Sequence, residues 1–375
     1  MSVRGVALNS TIKNERRYIA DELTSVPWTL AQLRKSEVGL KPNGLKVFSC
    51  FACGGGSSMG YKLAGFDVLG GVEIDPKIAA MYLRNLKPQF FFTMPVQDFN
   101  RIKPHQLPRE LFELDILDGS PPCSSFSMAG DREKRWQVKK KFKEGQAEQV
   151  LDDLFFHFIQ TARKLNPRVV VAENVKGLIS GTARGYVKEI FKRFDAIGYD
   201  CQLFLLNAAR MGVPQRRERT FFVARRRDQD FPELILNFRE KEISAYEATE
   251  GLLDGYLCGK ANLRRTRKGL RPLWDTRIMP APTATASGLY FRERENEDDW
   301  KVAGSLACIR LQSFPDDYDS LGNRPVFVTG MSVPPLMLQR LANEIYLQWF
   351  GRKDEITRVA LSQTQHFDQA SLQIP

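Results

Sequence analysis

The sequence predicts an α/β protein with a doubly wound, mostly parallel sheet and a small inserted domain. From residue 45 onward, short apolar runs of strand length alternate with helical patterns. The run at 168–177 is continuous and β-branched, as in a parallel strand buried on both faces. Between 226 and 282 the periodicity fades and arginine and lysine accumulate, which indicates a separate unit that faces a polyanion.

The first elements alternate in the way that a nucleotide-binding unit requires. In order, they are a strand at 45–51, a glycine turn at 54–56, a helix at 57–63 opened by a serine cap, a strand at 67–73, a helix at 76–86 and a strand at 90–93. Glycines between a strand and a helix let the backbone approach a ligand closely. The pattern therefore favours a site for a nucleotide-like cofactor at this turn.

Two acids are candidates for holding such a cofactor. Glu73 ends the second strand about 20 positions after the turn, the spacing at which a carboxylate binds a ribose diol. Asp98 follows the run at 90–93 and is a candidate for the adenine end. Either acid could instead have only a structural role, with Glu73 capping the next helix.

Cys123 stands directly after Pro121 and Pro122, just beyond an apolar run at 111–117 that reads as a buried strand. The carboxyl end of such a strand is the edge at which ligands bind in open α/β sheets. Prolines stiffen the backbone that carries the thiol. Taken alone, the stretch is equally compatible with an inert, buried cysteine.

The segments after Cys123 supply further polar groups. The segment 131–143 is basic and reads as a loop that could close over a polyanion, although a plain solvated loop remains open. An amphipathic helix at 148–165 precedes the strand at 168–177, which carries Glu173 toward the same sheet edge as Cys123. Arg217 and Arg219 would share one face of an extended segment before the next apolar strand.

Composition narrows the class of partner. The chain has 375 residues and a formal net charge of +11, which favours nucleic acid over an anionic membrane because we find no apolar run long enough to span a bilayer. Six scattered cysteines and an N-terminus without a signal-peptide pattern indicate a reducing interior. The lone C-x-x-C at 50–53 has no second pair, so we expect no metal site.

Three motifs, in order behind the glycine turn, resemble those of the DNA (cytosine-5)-methyltransferase family. They are Pro-Pro-Cys at 121–123, Glu-Asn-Val at 173–175 and Gln-x-Arg-x-Arg at 215–219. The late segments at 311–315 and 330–333 are similar to the family's final motifs, so that the resemblance extends from about 45 to 349. Several positions depart from the family pattern. Ser49 stands where an acid is common, Cys53 stands where the turn usually begins with glycine, and Ser124 replaces the frequent glutamine after the nucleophile. Leu306 and Ala307 stand where the late motif usually has Arg-Glu, and Met331 stands where the final motif has asparagine.

The resemblance implies a fold of the S-adenosylmethionine-dependent methyltransferase type, with S-adenosylmethionine as methyl donor. The catalytic residues that it implies are Cys123, Glu173, Arg217 and Arg219. The cofactor-binding residues would be Phe51, Gly55, Gly56, Glu73, Ile74, Asp98, Phe99, Pro122, Ser332 and Val333. We expect Ser124, Ser127, Arg132, Arg135, Lys139, Arg264, Arg265 and Arg267 to bind nucleic acid.

The chemistry that the resemblance implies is covalent. Cys123 would add to C6 of a flipped-out cytosine, Glu173 would hydrogen-bond N3 and Arg219 would hold the O2 side, while Arg217 braces this network or a phosphate. Double-stranded DNA is the expected partner. The alternatives are a tRNA cytosine-5 methyltransferase, a catalytically silent nucleic-acid-binding relative and, least favoured, a nicotinamide dehydrogenase.

The expected domains are an N-terminal extension at 1–44, a catalytic cofactor-binding domain at 45–225, a target-recognition domain at 226–300, a segment at 301–350 that completes the catalytic domain, and a polar tail at 351–375. We further expect a monomer without a membrane partner, located in the cytoplasm at the bacterial nucleoid, or in the nucleus if the source is eukaryotic. A cognate restriction endonuclease is a possible partner.

Overall fold

The structure is a computed structural model that describes residues 24–33, 42–122, 153–179, 184–259, 274–283, 289–294 and 299–351. Its strands are β1 Lys46–Cys50, β2 Asp67–Glu73, β3 Phe90–Thr93, β4 Ile116–Gly119, β5 Val169–Val175, β6 Tyr199–Asn207, β7 Gln215–Arg216, β8 Glu218–Arg226, β9 Tyr256–Gly259, β10 Trp274–Asp275, β11 Ala281–Pro282, β12 Leu289–Arg292 and β13 Lys301–Val302. Its helices are α1 Gly56–Leu63, α2 Pro76–Leu86, α3 Val96–Arg101, α4 Leu154–Leu165, α5 Arg184–Ala196, α6 Ala245–Ala248, α7 Ser305–Leu311, α8 Pro325–Met331 and α9 Pro335–Ile345.

In the described residues, seven strands form one sheet in the order β3-β2-β1-β4-β5-β8-β6. The pairs from β3 to β5 are parallel, whereas β8 runs antiparallel to both of its neighbours. The strand order reverses between β1 and β4. Ligands bind at such a switch point in open α/β sheets, at the carboxyl ends of the strands. The predicted fold class, α/β with a doubly wound and mostly parallel sheet, is confirmed.

Each face of this sheet is covered by its own hydrophobic core. The residues on the first face include Val47, Ile116, Val171 and Phe221, and they pack with α1 and α9. Their neighbours along the same strands belong to the second core, under α4 and α5. This strict alternation decides which polar side chains near the strand ends share one face.

A smaller sheet in the order β10-β9-β12-β13 follows in the part of the chain where periodicity fades. Its core includes Leu257 and Leu289 together with Ala307 and Leu311 of α7. The domain boundaries at 226 and 300 remain predictions. Among the described residues, no helix combines the length and apolar character needed to cross a membrane.

Part of the N-terminal segment packs against the end of the chain. The Trp28 side chain is 2% exposed, and its indole nitrogen donates to the carbonyl of Ser313 at 2.9 Å. The Leu30 amide donates to Asp317, and Arg340 donates to the carbonyl of Thr24. Residues 24–33 therefore contribute to the core that covers α9.

Several local predictions are wrong. The run at 111–117 is not one strand, because a 3-10 helix at Arg109–Phe112 follows Pro108 and buries Leu111, and the strand begins only at Ile116. Helix α1 begins at Gly56 with Gly55 as its N-cap, and the structure assigns it no side-chain cap, so the predicted serine cap is absent from this described helix. By contrast, the amphipathic helix that the sequence predicts from Pro335 to Trp349 is present, as α9, Pro335–Ile345, continued by a π-helix at Tyr346–Phe350.

The glycine turn is shaped by packing within the protein. A Cβ atom at Gly56 would lie 2.0 Å from the carbonyl oxygen of Val333, and one at Gly54 would lie 2.2 Å from the Val328 side chain. Gly55 has φ +87°, in the region that disfavours other residues. These glycines therefore let the turn approach the segment 328–333, which lies about 270 positions later in the chain.

We expect Gly56→Ala to lower the free energy of unfolding by about 2 to 3 kcal/mol, because the added methyl group must displace backbone. The matched control is Gly185→Ala near the start of α5, where a Cβ would meet no described atom within 4 Å. That control should stabilise the protein by up to about 1 kcal/mol. Urea unfolding of both variants checks the prediction, and equal effects would contradict it.

Candidate active site

Four polar side chains lie on one face of the main sheet, near the carboxyl ends of β1, β4 and β5 and the adjacent amino end of the antiparallel β8. They are Ser49 on β1, Asp118 on β4, Glu173 on β5 and Arg219 on β8. Along each strand, these residues continue the alternating positions that belong to the first core, not those of the second core. Their side chains therefore point toward α1 and α9. We call this set the polar row. A polar row within an otherwise apolar face indicates a site.

Glu173 and Arg219 form the best-defined pair of the row. The Nε atom of Arg219 donates to Oε1 of Glu173 at 2.9 Å, and both side chains are more than 85% buried. The antiparallel register places Val175 opposite Arg219, so Glu173 lies one diagonal step away on the same face. Burial lowers the pKa of Arg219, and the charge of Glu173 opposes that effect. The sequence prediction that these residues meet at one edge is confirmed.

Arg217 has a different set of contacts. It is 2% exposed, and its Nη2 atom donates to the carbonyls of Gly330 at 3.2 Å and Ser332 at 3.1 Å. Burial lowers its pKa, and the nearby Arg219 lowers it further. Arg217 thus connects the segment that leads into β8 with the late segment that touches the glycine turn.

The chain that leads to Cys123 is held at the same edge. Asn174 is buried, and its side-chain amide donates to the carbonyl of Pro121 at 3.0 Å. The side-chain oxygen of Asn174 accepts from the Val175 amide. Because β4 and β5 pair through Gly119 and Ala172, this bond continues their alignment beyond the strand. Cys123 itself lies outside the described residues.

Glu73 lies beneath the glycine turn. Its carboxylate accepts hydrogen bonds from the amides of Cys53 at 2.8 Å and Asp75 at 3.0 Å. Burial raises the pKa of Glu73, while the amides act in the opposite direction. Asp75, not Glu73, caps α2, through the amides of Lys77 and Ile78. The alternative in which Glu73 merely caps that helix is therefore wrong.

The other predicted cofactor residues fall into two groups. Phe51, Ile74 and Pro122 are partly exposed beyond the ends of β1, β2 and β4, and Asp98 is half exposed in the first turn of α3, where it pairs with Arg101 at 2.7 Å. These apolar surfaces and one acid fit an adenosine group. The Phe99 ring is fully buried and stacks on Phe48, so its side chain belongs to the core.

Ser332 and Val333 are buried against the glycine turn. The Ser332 hydroxyl lies 3.3 Å from the thiol of Cys53 and donates to the carbonyl of Val328. Cys53 has φ +46°, in the left-handed region that glycine adopts without strain. A cysteine there costs about 1 kcal/mol of backbone strain, and it provides the thiol that contacts Ser332. Burial raises the pKa of this thiol to about 12, and the charge of Glu73 adds to the effect.

The predicted nucleic-acid-binding residues lie outside the described residues. This applies to Ser124, Ser127, Arg132, Arg135, Lys139, Arg264, Arg265 and Arg267. Asp118 was not recognised as a site residue from the sequence. Asp118 accepts a 2.7 Å hydrogen bond from Ser49, and an acid at the end of an apolar run was the signal that could have found it.

Comparison with known proteins agrees with this geometry. A family model described as C-5 cytosine-specific DNA methylase matches residues 45–255. Type II methyltransferase M.FnuDI of Fusobacterium nucleatum is 28% identical over 313 residues, which cover 73% of this chain and 85% of that protein. Type II methyltransferase M1.HphI of Haemophilus parahaemolyticus is 26% identical over 334 residues, or 80% of this chain and 86% of the relative.

A solved structure supports the fold. A prophage-encoded protein from E. coli, described as a DNA modification methyltransferase, superposes with a TM-score of 0.58 at 18% sequence identity, covering 81% of this chain and 99% of that protein. The likeness extends beyond residue 255, where the family match ends, because it covers four fifths of the chain.

Proposed function

The chain belongs to the C-5 cytosine-specific DNA methylase family and is a DNA (cytosine-5)-methyltransferase, and from this premise we propose that it acts through a covalent adduct between Cys123 and a cytosine flipped out of duplex DNA. The Glu173–Arg219 pair carries this proposal. It presents an acid and a guanidinium side by side at the edge that leads, through Pro121, toward Cys123.

Cytosine C5 is a weak nucleophile, so the reaction needs activation of the ring. The thiolate of Cys123 adds to C6, and the electron pair of the C5–C6 bond moves onto the ring, making C5 nucleophilic. C5 would then take the methyl group from the donor's sulfonium, as the carbon–sulfur bond of that methyl group breaks and leaves its electron pair on a neutral thioether. A base removes the C5 proton, the C5–C6 double bond re-forms and the thiolate leaves. The carbon–sulfur bond to Cys123 thus forms and breaks once per turnover.

Glu173 and Arg219 stabilise the charge that develops on the ring. A protonated Glu173 donates to N3, and Arg219 holds the O2 side of the base. In the described geometry the Glu173 carboxyl group accepts from Arg219, so the two groups that would contact the ring already lie side by side. Arg217 keeps its contacts with the late segment and braces Arg219 from behind.

We propose that S-adenosylmethionine binds at the carboxyl ends of β1 and β2, since the family implies a methyl donor of this type. It supplies an electrophilic methyl group on a sulfonium. Phe51, Ile74 and Pro122 would contact the adenosine group, and Asp98 would accept from the adenine amine. Glu73 holds the turn through the Cys53 amide and offers its remaining lone pairs to the ribose.

The target base must leave the DNA duplex, which costs a few kcal/mol of lost stacking and pairing. The net charge of +11 favours phosphate contacts that offset part of this cost, so binding should weaken steeply with salt. A monomeric state, a cognate restriction endonuclease and a location at the DNA of the source cell remain predictions. The two relatives compared above are both named Type II methyltransferases, which supports a restriction-modification context.

Transfer of a labelled methyl group from S-adenosylmethionine tests the function. Duplex DNA with unmodified cytosines should become labelled, whereas the same duplex with every cytosine already methylated at C5 should not. Activity confined to tRNA would instead support an RNA methyltransferase. Failure to bind S-adenosylmethionine in equilibrium dialysis would indicate the catalytically silent relative.

A further inference from the structure

Asp118 is a buried carboxyl group that the proposed chemistry does not use. It is 2% exposed and lies on β4, directly opposite Ser49 on β1. The Ser49 hydroxyl donates to Oδ2 of Asp118 at 2.7 Å. These two strands flank the point at which the strand order reverses, so the pair lies directly beneath the expected ligand crevice.

The same carboxyl group also faces α1 and the catalytic acid. The hydroxyl groups of Ser57 and Tyr61 on α1 point toward it, and Glu173 interacts with it electrostatically from β5. Asp118 therefore forms hydrogen bonds or electrostatic interactions with three parts of the site. These are the strand that leads into the glycine turn, the helix that follows that turn, and Glu173 on the neighbouring strand β5.

Resting on the function proposed above, we propose that Asp118 is a positioning residue for methyl transfer. Through Ser49 and Ser57 it fixes the glycine turn, and as part of β4 it fixes the start of the segment that carries Cys123. The position of the glycine turn relative to the chain that leads to Cys123 then depends in part on this junction. Ser49 and Asp118 lie opposite each other on adjacent strands, so one buried hydrogen bond joins β1 to β4 at this junction.

The junction should respond to pH. Burial raises the pKa of Asp118 to about 7, with Glu173 adding to the effect and the three hydroxyl groups opposing it. The other titratable groups that interact with it are Cys50, Tyr61 and Tyr82. Burial raises the pKa of that thiol and of both phenols, so they stay neutral at working pH. Asp118 thus changes charge near neutral pH.

The sign of the stability effect follows from the raised pKa. Between its usual value of 3.8 and about 7, the folded state holds a proton that the unfolded state has lost. This contribution to stability is complete below the usual value and is lost as the pH rises through about 7. Asp118→Asn lacks this titrating group, so its stability should not fall for this reason as the pH rises. The melting temperature of Asp118→Asn minus that of the wild type should therefore increase from about pH 5 to about pH 8.

The test uses the full chain with Asp118→Asn, Ser49→Ala and the double variant. For each, the Kd for S-adenosylmethionine and the kcat for methyl transfer are measured across this pH range. Wild-type kcat should show an inflection near the pKa of about 7, and Asp118→Asn should abolish it. Ser49→Ala should raise the Kd about tenfold, because it removes the hydroxyl that donates to Asp118. The asparagine oxygen of Asp118→Asn can still accept from Ser49, so this variant should change the Kd less, and the double variant should have the Kd of Ser49→Ala.

Asp115→Asn is the matched control. Asp115 precedes the same strand but lies at its opposite end, where it pairs with Arg168 and the Lys46 amide. It should keep the wild-type pH profile and Kd. An inflection that persists in Asp118→Asn, or a Ser49→Ala enzyme with wild-type Kd and kcat, would overturn the inference. A wild type that binds no S-adenosylmethionine would instead refute the proposed function. If Asp118→Asn does not fold, Ser49→Ala decides alone.

Discussion

Cys123→Ala is expected to lower kcat for methyl transfer by at least about 10⁴-fold, because removing a covalent nucleophile removes the only route that activates C5. The Kd for S-adenosylmethionine should change little, since the proposed cofactor contacts come from Phe51, Glu73, Ile74, Asp98 and Pro122 and do not include the Cys123 thiol. Single-turnover labelling of duplex DNA measures the first effect, and equilibrium dialysis measures the second.

Cys201→Ala is the control for this substitution. Cys201 is a half-buried thiol on β6, away from the polar row. Its removal should leave kcat near the wild-type value. If the two alanine variants lose activity equally, a general effect on folding explains the loss and Cys123 is not the nucleophile.

Glu173→Ala is expected to lower kcat by about 10³-fold, because the ring then lacks its proton donor at N3. Glu173→Gln should fall between this variant and the wild type, since an amide can donate to N3 but cannot deliver a proton. The side chain is buried with Arg219, so the alanine variant also leaves a guanidinium without its partner and should unfold at lower urea concentration.

Glu218→Ala is the control for Glu173→Ala, because it removes a negative charge from a neighbouring strand without removing the proposed proton donor. Glu218 is on the same strand as Arg219, but its pair with Lys176 is exposed to solvent. We expect wild-type kcat and a change in stability below about 1 kcal/mol. A large loss of activity in Glu218→Ala, or wild-type activity in Glu173→Ala, would contradict the role assigned to Glu173.

The sequence predicted the bounds of those helices and strands that depend mainly on neighbouring residues. The bounds of β2, α2 and β3 agree with the sequence prediction, because each run is uniform and ends at a proline, glycine or acid. The meeting of Glu173 and Arg219 followed from placing both beside the carboxyl edge of a parallel sheet. The two- to four-residue strands of the smaller sheet escaped prediction, since such short runs carry no period.

Long-range contacts were beyond the sequence. The glycine turn suggested close approach to a ligand, yet the atoms that fill the space above Gly54 and Gly56 belong to Val328 and Val333. Likewise, Asp118 looked like the end of an apolar run, and only the pairing of β1 with β4 places its carboxyl group on the Ser49 hydroxyl. Both features depend on register between distant segments.

The central claim is the covalent bond between Cys123 and the target cytosine. Duplex DNA that carries 5-fluorocytosine at the methylated position should trap the enzyme in the presence of S-adenosylmethionine, because fluorine cannot leave as a proton does. The account predicts a denaturation-resistant complex whose digestion yields one DNA-linked peptide containing Cys123, and no complex with Cys123→Ala. A complex that still forms with Cys123→Ala would contradict the account.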